Sequence, residues 1–208
     1  GLPRFRGHEE GKNNLKRVAE WCLDRGVKIL TVYAFSTENW KRSKEEVSFL
    51  MELLKKTLRD ELDELHDKNI RINVLGRFSD FSEEIQKILR DAMEKTKNNT
   101  RGMLNLCLSY GGRAEIMDAI KSLIRSGVTE EEMTDDRFSE ALYTRGMPDP
   151  DLIIRTSGEQ RLSGFLLWQG AYAELVFSPK LWPEFSEKDL DAAIEEYNHR
   201  ERRFGGRS

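Results

Sequence analysis

The pattern of apolar and polar positions along this chain alternates between short aliphatic runs and longer amphipathic segments. The short runs are rich in β-branched and aromatic residues and predict strands at residues 27–35, 70–75, 103–110, 152–154 and 174–177. Apolar residues at three- and four-residue steps predict helices at residues 47–65, 82–97, 114–124 and 187–199, and a charged segment at residues 9–25 precedes the first strand. Strands that alternate with helices predict an α/β fold with a parallel sheet covered on both faces.

Length and composition narrow the class of protein. The chain has 208 residues, which predicts one domain with a single hydrophobic core. Its 34 basic and 37 acidic residues nearly balance, so no overall positive charge favours nucleic acid as a partner. Cys22 and Cys107 lie far apart among apolar neighbours, which is typical of reduced, buried thiols in a cytoplasmic protein. No apolar run is long enough for a transmembrane helix.

The most informative segment is residues 151–163, where a short aliphatic run ends in two arginines, three hydroxyl side chains and a glycine. Ligands of open α/β sheets bind beyond the carboxyl ends of the strands, and guanidinium groups match phosphate oxygens in pairs. Backbone N–H groups of the loop could fill the remaining phosphate contacts. Arg155 and Arg161 therefore predict an anion site, although a solvated polar turn is an equally good interpretation of this loop taken alone.

A second polar segment, residues 35–43, follows the first predicted strand directly. By the same argument it places polar side chains at another carboxyl strand end. Ser43 and Glu46 also fit a capping box for the long helix that follows, so part of this polarity has a structural explanation.

Two basic clusters lie near the ends of the chain. Arg4, Arg6, Gly7 and His8 immediately precede a predicted helix, whose unpaired N–H groups and positive dipole end favour an anion. An ordinary frayed helix end is the alternative interpretation of this cluster. Residues 200–207 form a basic, glycine-containing tail, which by itself would most often be a solvated helix end.

Together these four clusters resemble the cis-prenyltransferases of the undecaprenyl diphosphate synthase kind. The resemblance covers nearly the whole chain and is carried by residues 34–40, 105, 109–113, 154–163, 165–169, 172–175 and 200–206. It implies an α/β fold in a single domain, with a central six-stranded, mostly parallel sheet flanked by helices, and a homodimer. It also implies sequential condensation of isopentenyl diphosphate onto an allylic diphosphate such as farnesyl diphosphate, with Mg²⁺ and cis double bonds, to give a long product such as undecaprenyl diphosphate.

The resemblance assigns one group of residues to isopentenyl diphosphate. Its diphosphate would be bound by Arg155, Arg161 and Ser163. Arg203 and Gly205 match an Arg-X-Gly motif that reaches the same diphosphate across the dimer.

A second group is assigned to the allylic substrate and to the metal. Arg4, His8 and Arg42 would contact the allylic diphosphate or assist its departure. Glu174 corresponds to an acidic residue linked to Mg²⁺ and to isopentenyl diphosphate binding.

A third group matches a loop that closes over the substrates and serves positioning and proton removal. This group consists of Ser36, Glu38, Asn39 and Trp40. Cleavage of the allylic carbon–oxygen bond leaves diphosphate charge for Mg²⁺ and arginines to stabilise. The new cation must then lose a proton, and a carboxylate, an amide or the bound diphosphate could accept it.

The growing prenyl chain requires an apolar tunnel. The amphipathic helix at residues 47–65 is expected to form its wall against the strands at Ala34 and at residues 104–106, so that its apolar stripe serves as core and tunnel together. A small residue such as Ala34 would leave room for chain length. A cytoplasmic enzyme that releases so long a lipid is expected to contact the inner face of the membrane through its product.

One departure from the family pattern concerns the start of the chain. The Asp-Gly-Asn-Gly-Arg-Trp motif, with its metal-binding Asp, should lie just upstream of Gly1, and with it the first strand and the allylic phosphate loop. A molecule that began at Gly1 would be expected to bind isopentenyl diphosphate with negligible turnover.

The alternative function is a non-catalytic subunit of a heteromeric cis-prenyltransferase, which the retained Glu38 and Arg155 disfavour. An unrelated nucleotide hydrolase is disfavoured because no phosphate-loop or dinucleotide motif is present.

Overall fold

A computed structural model of the chain describes residues 4–200. These residues form two compact units, with the boundary between Gly111 and Gly112. The elements of the first unit are, in chain order, α1 (Arg4–Asp24), β1 (Ile29–Ser36), α2 (Lys44–Asp67), β2 (Ile70–Leu75), α3 (Glu83–Thr96) and β3 (Gly102–Tyr110). The elements of the second unit are α4 (Gly112–Arg125), α5 (Asp135–Ser139), β4 (Leu152–Arg155), β5 (Glu174–Phe177) and α6 (Glu187–His199).

The first unit is built on a three-stranded parallel sheet with the order β1-β3-β2. One face of the sheet carries apolar residues from all three strands, among them Phe35, Ile72 and Leu106, because side chains alternate between faces along a strand. This face packs against α2 and α3, where Leu89 and Ala92 are fully buried. The apolar stripe predicted for the long helix therefore forms core, with Leu58 buried and its other leucines partly buried.

Helix starts in the first unit follow local capping chemistry. Ser43 and Ser82 precede α2 and α3, and their hydroxyl oxygens accept the backbone N–H groups of Glu46 and Ile85 at 3.2 and 3.5 Å. The side chain of Glu46 has other partners, described below. Ser43 therefore caps the long helix as the sequence predicts.

The second unit contains the parallel pair β4–β5, in which Leu152 pairs with Glu174 and Arg155 with Phe177. The buried carboxylate of Glu115 joins α4 to two later segments of this unit. Glu115 of α4 is 1% exposed, and its Oε1 accepts the backbone N–H of Tyr143 at 2.9 Å and the amide Nε2–H of Gln169 at 3.1 Å. A buried carboxylate is tolerated because such bonds replace its hydration.

Most of the predicted elements are confirmed. All five strands form within two residues of their predicted bounds, and the predicted α/β class with parallel strands is correct. Among residues 4–200 the strands are hydrogen-bonded as a sheet of three and a sheet of two, and the six-stranded sheet stays a prediction. The five-residue helix α5 was not predicted, since it is too short to show an apolar period.

The structure also tests what the sequence predicts about the cysteines and about membrane-spanning helices. Cys22 and Cys107 are both free and buried, and burial raises the pKa of the Cys22 thiol to about 11. None of the described helices combines the length and the apolar character needed to cross a membrane.

Candidate active site

The turn after β1 holds the predicted loop residues in a fixed local arrangement. Ser36 ends β1 and precedes a 3₁₀ turn, Thr37–Lys41. The side-chain oxygen of Asn39 accepts the backbone N–H of Ser36 at 2.9 Å, which closes the turn. The Asn39 amide is therefore partly committed to holding the turn, a structural role that the motif alone does not reveal.

Glu38 lies exposed on this turn. Its pKa is lowered below the usual 4.5, first because its carboxylate accepts its own backbone N–H, and further because it accepts the hydroxyl groups of Ser36 and Thr37. The local geometry keeps Glu38 ionised at neutral pH, which suits a group that stabilises a cation or accepts a proton from one.

Trp40 is held by two aromatic rings and a hydrogen bond. Its ring centroid lies 4.8 Å from that of Phe35 and 5.4 Å from that of Phe81. Its indole Nε1–H donates to Ser109 Oγ at 2.8 Å. The side chain is therefore packed in a defined orientation and does not project freely from the turn.

His8 and Arg42 meet at one carboxylate oxygen. Oε1 of Glu46 lies 2.8 Å from Arg42 Nη1 and 3.2 Å from His8 Nε2, and the Glu46 side chain is only 9% exposed. The structure thus brings together two predicted ligands of the allylic diphosphate, through a residue that the sequence argument treated only as part of a cap. An Arg and a His on one buried carboxylate are well placed to meet an anion.

The position of His8 corrects one prediction. Helix α1 begins at Arg4, so Arg4, Arg6 and His8 lie within its first two turns and do not precede it. The helix starts early because residues 4–8 contain no proline and no strong helix breaker apart from Gly7. The side chain of Arg4 lies outside the described part of the structure, as do Arg203 and Gly205.

The arginine loop, residues 155–163, begins where β4 ends. Arg155 is the last residue of β4 and is half-buried, and among residues 4–200 its guanidinium makes no ion pair. Arg161 is exposed and forms an ion pair with Glu159, a contact of little energetic value at the surface. Arg155 is therefore the better anchored of the two predicted phosphate ligands.

The backbone after β4 is unusually strained. Among the described residues, five non-glycine residues have positive φ, and three of them follow β4. Ser157 and Ser163 lie in the arginine loop, and Leu166 lies three residues beyond it. Such conformations cost energy and cluster at functional sites. The strain thus supports a functional role for the arginine loop over a simple solvated turn.

Two backbone N–H groups of the arginine loop are already used. The N–H of Ser157 donates to the Lys180 carbonyl at 2.6 Å, and that of Gly158 donates to the Ser178 carbonyl at 2.9 Å. The suggestion that loop N–H groups complete a phosphate site is therefore wrong for these two positions. An anion at this loop would therefore have to be contacted by arginine and hydroxyl side chains or by other N–H groups of the loop.

Gly112 is required by the close approach of the chain near Gly164. Its N–H donates to the Gly164 carbonyl at 2.7 Å, and a Cβ at Gly112 would lie 2.8 Å from that carbonyl oxygen and 2.7 Å from Leu167 Cγ. Gly111 is required by a different contact, because a Cβ there would lie 2.8 Å from Thr37 Oγ1.

Replacing Gly112 with alanine should displace the backbone at Gly164, next to Ser163. We expect a loss of stability of about 1–3 kcal/mol and weaker binding of isopentenyl diphosphate. Thermal unfolding and calorimetric titration would measure the two effects. Gly127→Ala is the control for binding, since a Cβ there meets nothing within 4 Å and stability is lost only through its positive φ of 70°. Equal binding by the two variants would show that the close approach at Gly112 has no role in the loop.

Glu174 is the predicted site residue whose role has the least support from the structure. It is the first residue of β5 and lies opposite Leu152, so it stands roughly 10 Å along the ladder from Arg155. Its Oε2 accepts Arg200 Nη1 at 2.7 Å. The described residues contain no group of three or more His, Cys, Asp or Glu side chains that could hold a metal ion.

The fold and these loops define an α/β protein that presents basic and hydroxyl side chains at the carboxyl ends of parallel strands, as expected of an enzyme with anionic substrates. The sequence model of a protein family described as "Putative undecaprenyl diphosphate synthase" matches residues 1–205. An isoprenyl transferase of Clostridium perfringens is 51% identical over 99% of this chain and 83% of its own length. A synthase of Micrococcus luteus, named ditrans,polycis-undecaprenyl-diphosphate synthase ((2E,6E)-farnesyl-diphosphate specific), is 46% identical over 99% of this chain and 84% of its own length.

Solved structures show the same similarity. A probable undecaprenyl diphosphate synthase from Campylobacter jejuni has a TM-score of 0.85 at 34% identity, covering 95% of this chain and 92% of that one. A lavandulyl diphosphate synthase from Lavandula x intermedia, in complex with dimethylallyl diphosphate, has a TM-score of 0.92 at 36% identity, covering 99% of this chain and 90% of that one. The chain belongs to the undecaprenyl diphosphate synthase family of cis-prenyltransferases, the enzymes that elongate prenyl chains.

Proposed function

We propose that this chain condenses isopentenyl diphosphate repeatedly onto an allylic diphosphate such as farnesyl diphosphate, forming cis double bonds. The product is a long polyprenyl diphosphate of the undecaprenyl class. The observation that carries the proposal is the presence of two basic sites of different build. One is the Arg42–Glu46–His8 group and the other is the arginine loop after β4. A reaction between two diphosphates requires two such sites.

The chemical roles follow from the side chains. Arg155, Arg161 and Ser163 bind the diphosphate of isopentenyl diphosphate, because guanidinium and hydroxyl groups donate to phosphate oxygens. Arg42 and His8 stabilise the charge that accumulates on the departing allylic diphosphate. Trp40 and the turn that carries it order the reacting ends of the two substrates.

Proton removal completes each condensation. Ser36 and Asn39 form the turn that presents Glu38, and the Glu38 carboxylate is ionised. A carbocation is so strong an acid that a carboxylate of low pKa can accept its proton. Glu38 is therefore our candidate for proton acceptor or for electrostatic stabiliser of the cation.

Mg²⁺ is proposed to enter with the diphosphates. Magnesium in proteins is typically bound through one or two carboxylates together with substrate phosphates. Glu174 is the candidate protein ligand, and it would have to exchange its Arg200 partner for the ion. Bound magnesium would neutralise diphosphate charge.

The prenyl chain is proposed to grow along the apolar layer between α2 and the three-stranded sheet, where Leu50, Met51 and Leu54 are only partly buried. Ala34 lies exposed in β1, at a break in the β1–β3 register between Tyr33 and Phe35. Its small side chain leaves space that a growing chain can use.

Ala34→Leu is accordingly expected to shorten the product by one or more isoprene units while leaving isopentenyl diphosphate binding unchanged. Reversed-phase chromatography of the labelled polyprenols would measure the length. Ala192→Leu, at an exposed alanine of α6, is the matched control. Products of unaltered length from Ala34→Leu would remove Ala34 from the proposed path of the chain.

A homodimer is part of the proposal. In the second unit, Tyr172, Phe177 and Leu181 lie around β5 and are 71%, 36% and 53% exposed. Exposed large apolar side chains such as these favour contact with a partner. In such a homodimer the family motif implies that Arg203 and Gly205 serve the partner's site.

The function is tested by a product assay on the full-length polypeptide with labelled isopentenyl diphosphate, farnesyl diphosphate and Mg²⁺. Long cis-polyprenyl diphosphate is the expected product. A single condensation without elongation would contradict the chain-elongating role. Absence of product from the protein alone, with activity restored by a second type of subunit, would establish the alternative of a non-catalytic partner.

A further inference from the structure

Three segments of the first unit are joined by a chain of two hydrogen bonds. The indole Nε1–H of Trp40 donates to Ser109 Oγ at 2.8 Å, and the Ser109 hydroxyl donates to Asp80 Oδ2 at 2.5 Å. Trp40 lies on the turn after β1, Ser109 near the end of β3, and Asp80 on the turn after β2. The proposed function uses Trp40 but gives no role to Asp80 or Ser109.

Ser109 is held rigidly in the middle of this chain. It is 1% exposed and adopts a positive φ of 45°, a conformation uncommon for a residue other than glycine. Its carbonyl accepts the backbone N–H of Arg77 at 3.3 Å. Gly76, with φ of 132°, passes so close to the Leu108 carbonyl that a side chain there would overlap it. The backbone around Ser109 therefore fixes where its hydroxyl can point.

The hydrogen bonds fix the orientation of the Trp40 indole, which packing alone does not determine. Phe35 and Phe81 contact the rings of Trp40, which limits the plane of the indole. The other side of the turn borders an open cleft of about 390 Å³ lined by Thr37, Trp40, Arg77 and Asp80. A ring packed beside open space can still rotate between arrangements, and a directional N–H bond selects one of them.

We propose that Asp80 is a positioning residue, which acts through Ser109 to orient Trp40 and with it the Thr37–Lys41 turn. The Asp80 carboxylate accepts a hydrogen bond from the Ser109 hydroxyl, which leaves a lone pair of the Ser109 oxygen directed at the indole N–H. This inference rests on the proposed function, in which the same turn carries Glu38 and Asn39. Its consequence is a turn preorganised for prenyl transfer before substrates bind.

The test combines a spectroscopic signal with kinetics on the full-length protein. The indole N–H resonance of Trp40 is identified by its loss in Trp40→Phe. Asp80→Ala and Ser109→Ala should each shift that resonance and speed its exchange with solvent, and each should lower kcat about tenfold with a smaller change in KM. Asp80→Asn retains an acceptor oxygen and should restore most of kcat. Asp60→Ala, at an exposed aspartate of α2, is the matched control.

The double variant Asp80→Ala, Ser109→Ala separates a shared pathway from two independent effects. If Asp80 acts through Ser109, the double variant should lose no more kcat than Ser109→Ala alone. Additive losses would overturn the proposal. An unshifted Trp40 resonance in Asp80→Ala would overturn it as well, whatever the activity. If the parent protein lacks turnover, the proposed function fails, while the resonance still decides whether Asp80 orients Trp40.

Discussion

Replacing Arg155 with alanine is expected to lower kcat/KM for isopentenyl diphosphate roughly 30- to 100-fold, which corresponds to about 2–3 kcal/mol. Arg155 ends β4, is half-buried and makes no ion pair within residues 4–200, so an incoming diphosphate would not have to displace a protein carboxylate. A charge-assisted contact of this kind is worth more than a neutral hydrogen bond. Steady-state kinetics would measure the loss, and calorimetric binding would measure it without turnover.

Two matched variants show how much of this loss comes from the charge of Arg155 and how much from its planar guanidinium group. Arg155→Lys keeps the charge but not the planar pair of donors, so it should recover only part of the affinity. Arg125→Ala, at an exposed arginine that ends α4, should leave both measurements unchanged. Unaltered use of isopentenyl diphosphate by Arg155→Ala would mean that the diphosphate binds elsewhere.

Most elements of the fold could be predicted from the sequence because their periods are long or strongly apolar. β2 and β5 have the predicted bounds, and α6 does as well. The short helix α5 and the 3₁₀ turns could not be predicted, since they depend on local capping such as the Thr134 hydroxyl that accepts the Arg137 N–H. The grouping of five strands into sheets of three and two depends on long-range pairing, which periodicity does not encode.

The candidate site was predictable as a set of residue types but not as a set of contacts. Arginines after a strand end and a polar turn after another strand are visible in the sequence. The joint contact of Arg42 and His8 with Glu46 is not, because 38 residues separate His8 from Glu46. The same holds for the hydrogen bond between Ser109 and Asp80. Ser109 lies in a family motif that gives it no partner, and Asp80 lies in none of the motifs. Such partners are determined by tertiary packing and leave no periodic signal.

Replacing Glu38 with glutamine is expected to lower kcat about 10²-fold with little change in the affinity for either diphosphate. Glutamine keeps the shape and the oxygen that can accept its own backbone N–H, so the turn should survive the change. What is lost is the negative charge beside the developing cation and the basic oxygen. Single-turnover kinetics would isolate the chemical step from product release.

Glu45→Gln is a close control for this experiment. Glu45 is another exposed glutamate whose pKa is lowered by its own backbone N–H and by a serine hydroxyl, but it lies in the first turn of α2 and off the Thr37–Lys41 turn. Its replacement should leave kcat unchanged. An equal loss in both variants would attribute the effect of Glu38→Gln to helix-end electrostatics and not to chemistry.

The pH dependence of the chemical step gives a second test of Glu38. Hydrogen bonds to its carboxylate lower its pKa below the usual 4.5, so the group stays ionised as the pH falls to that value. A rate that depends on ionised Glu38 should therefore decline only below about pH 4.5, and this acid limb should vanish in Glu38→Gln. An acid limb well above that value that persists in Glu38→Gln would assign proton removal to another group. The bound diphosphate, whose last ionisation lies at higher pH, would then be the favoured acceptor.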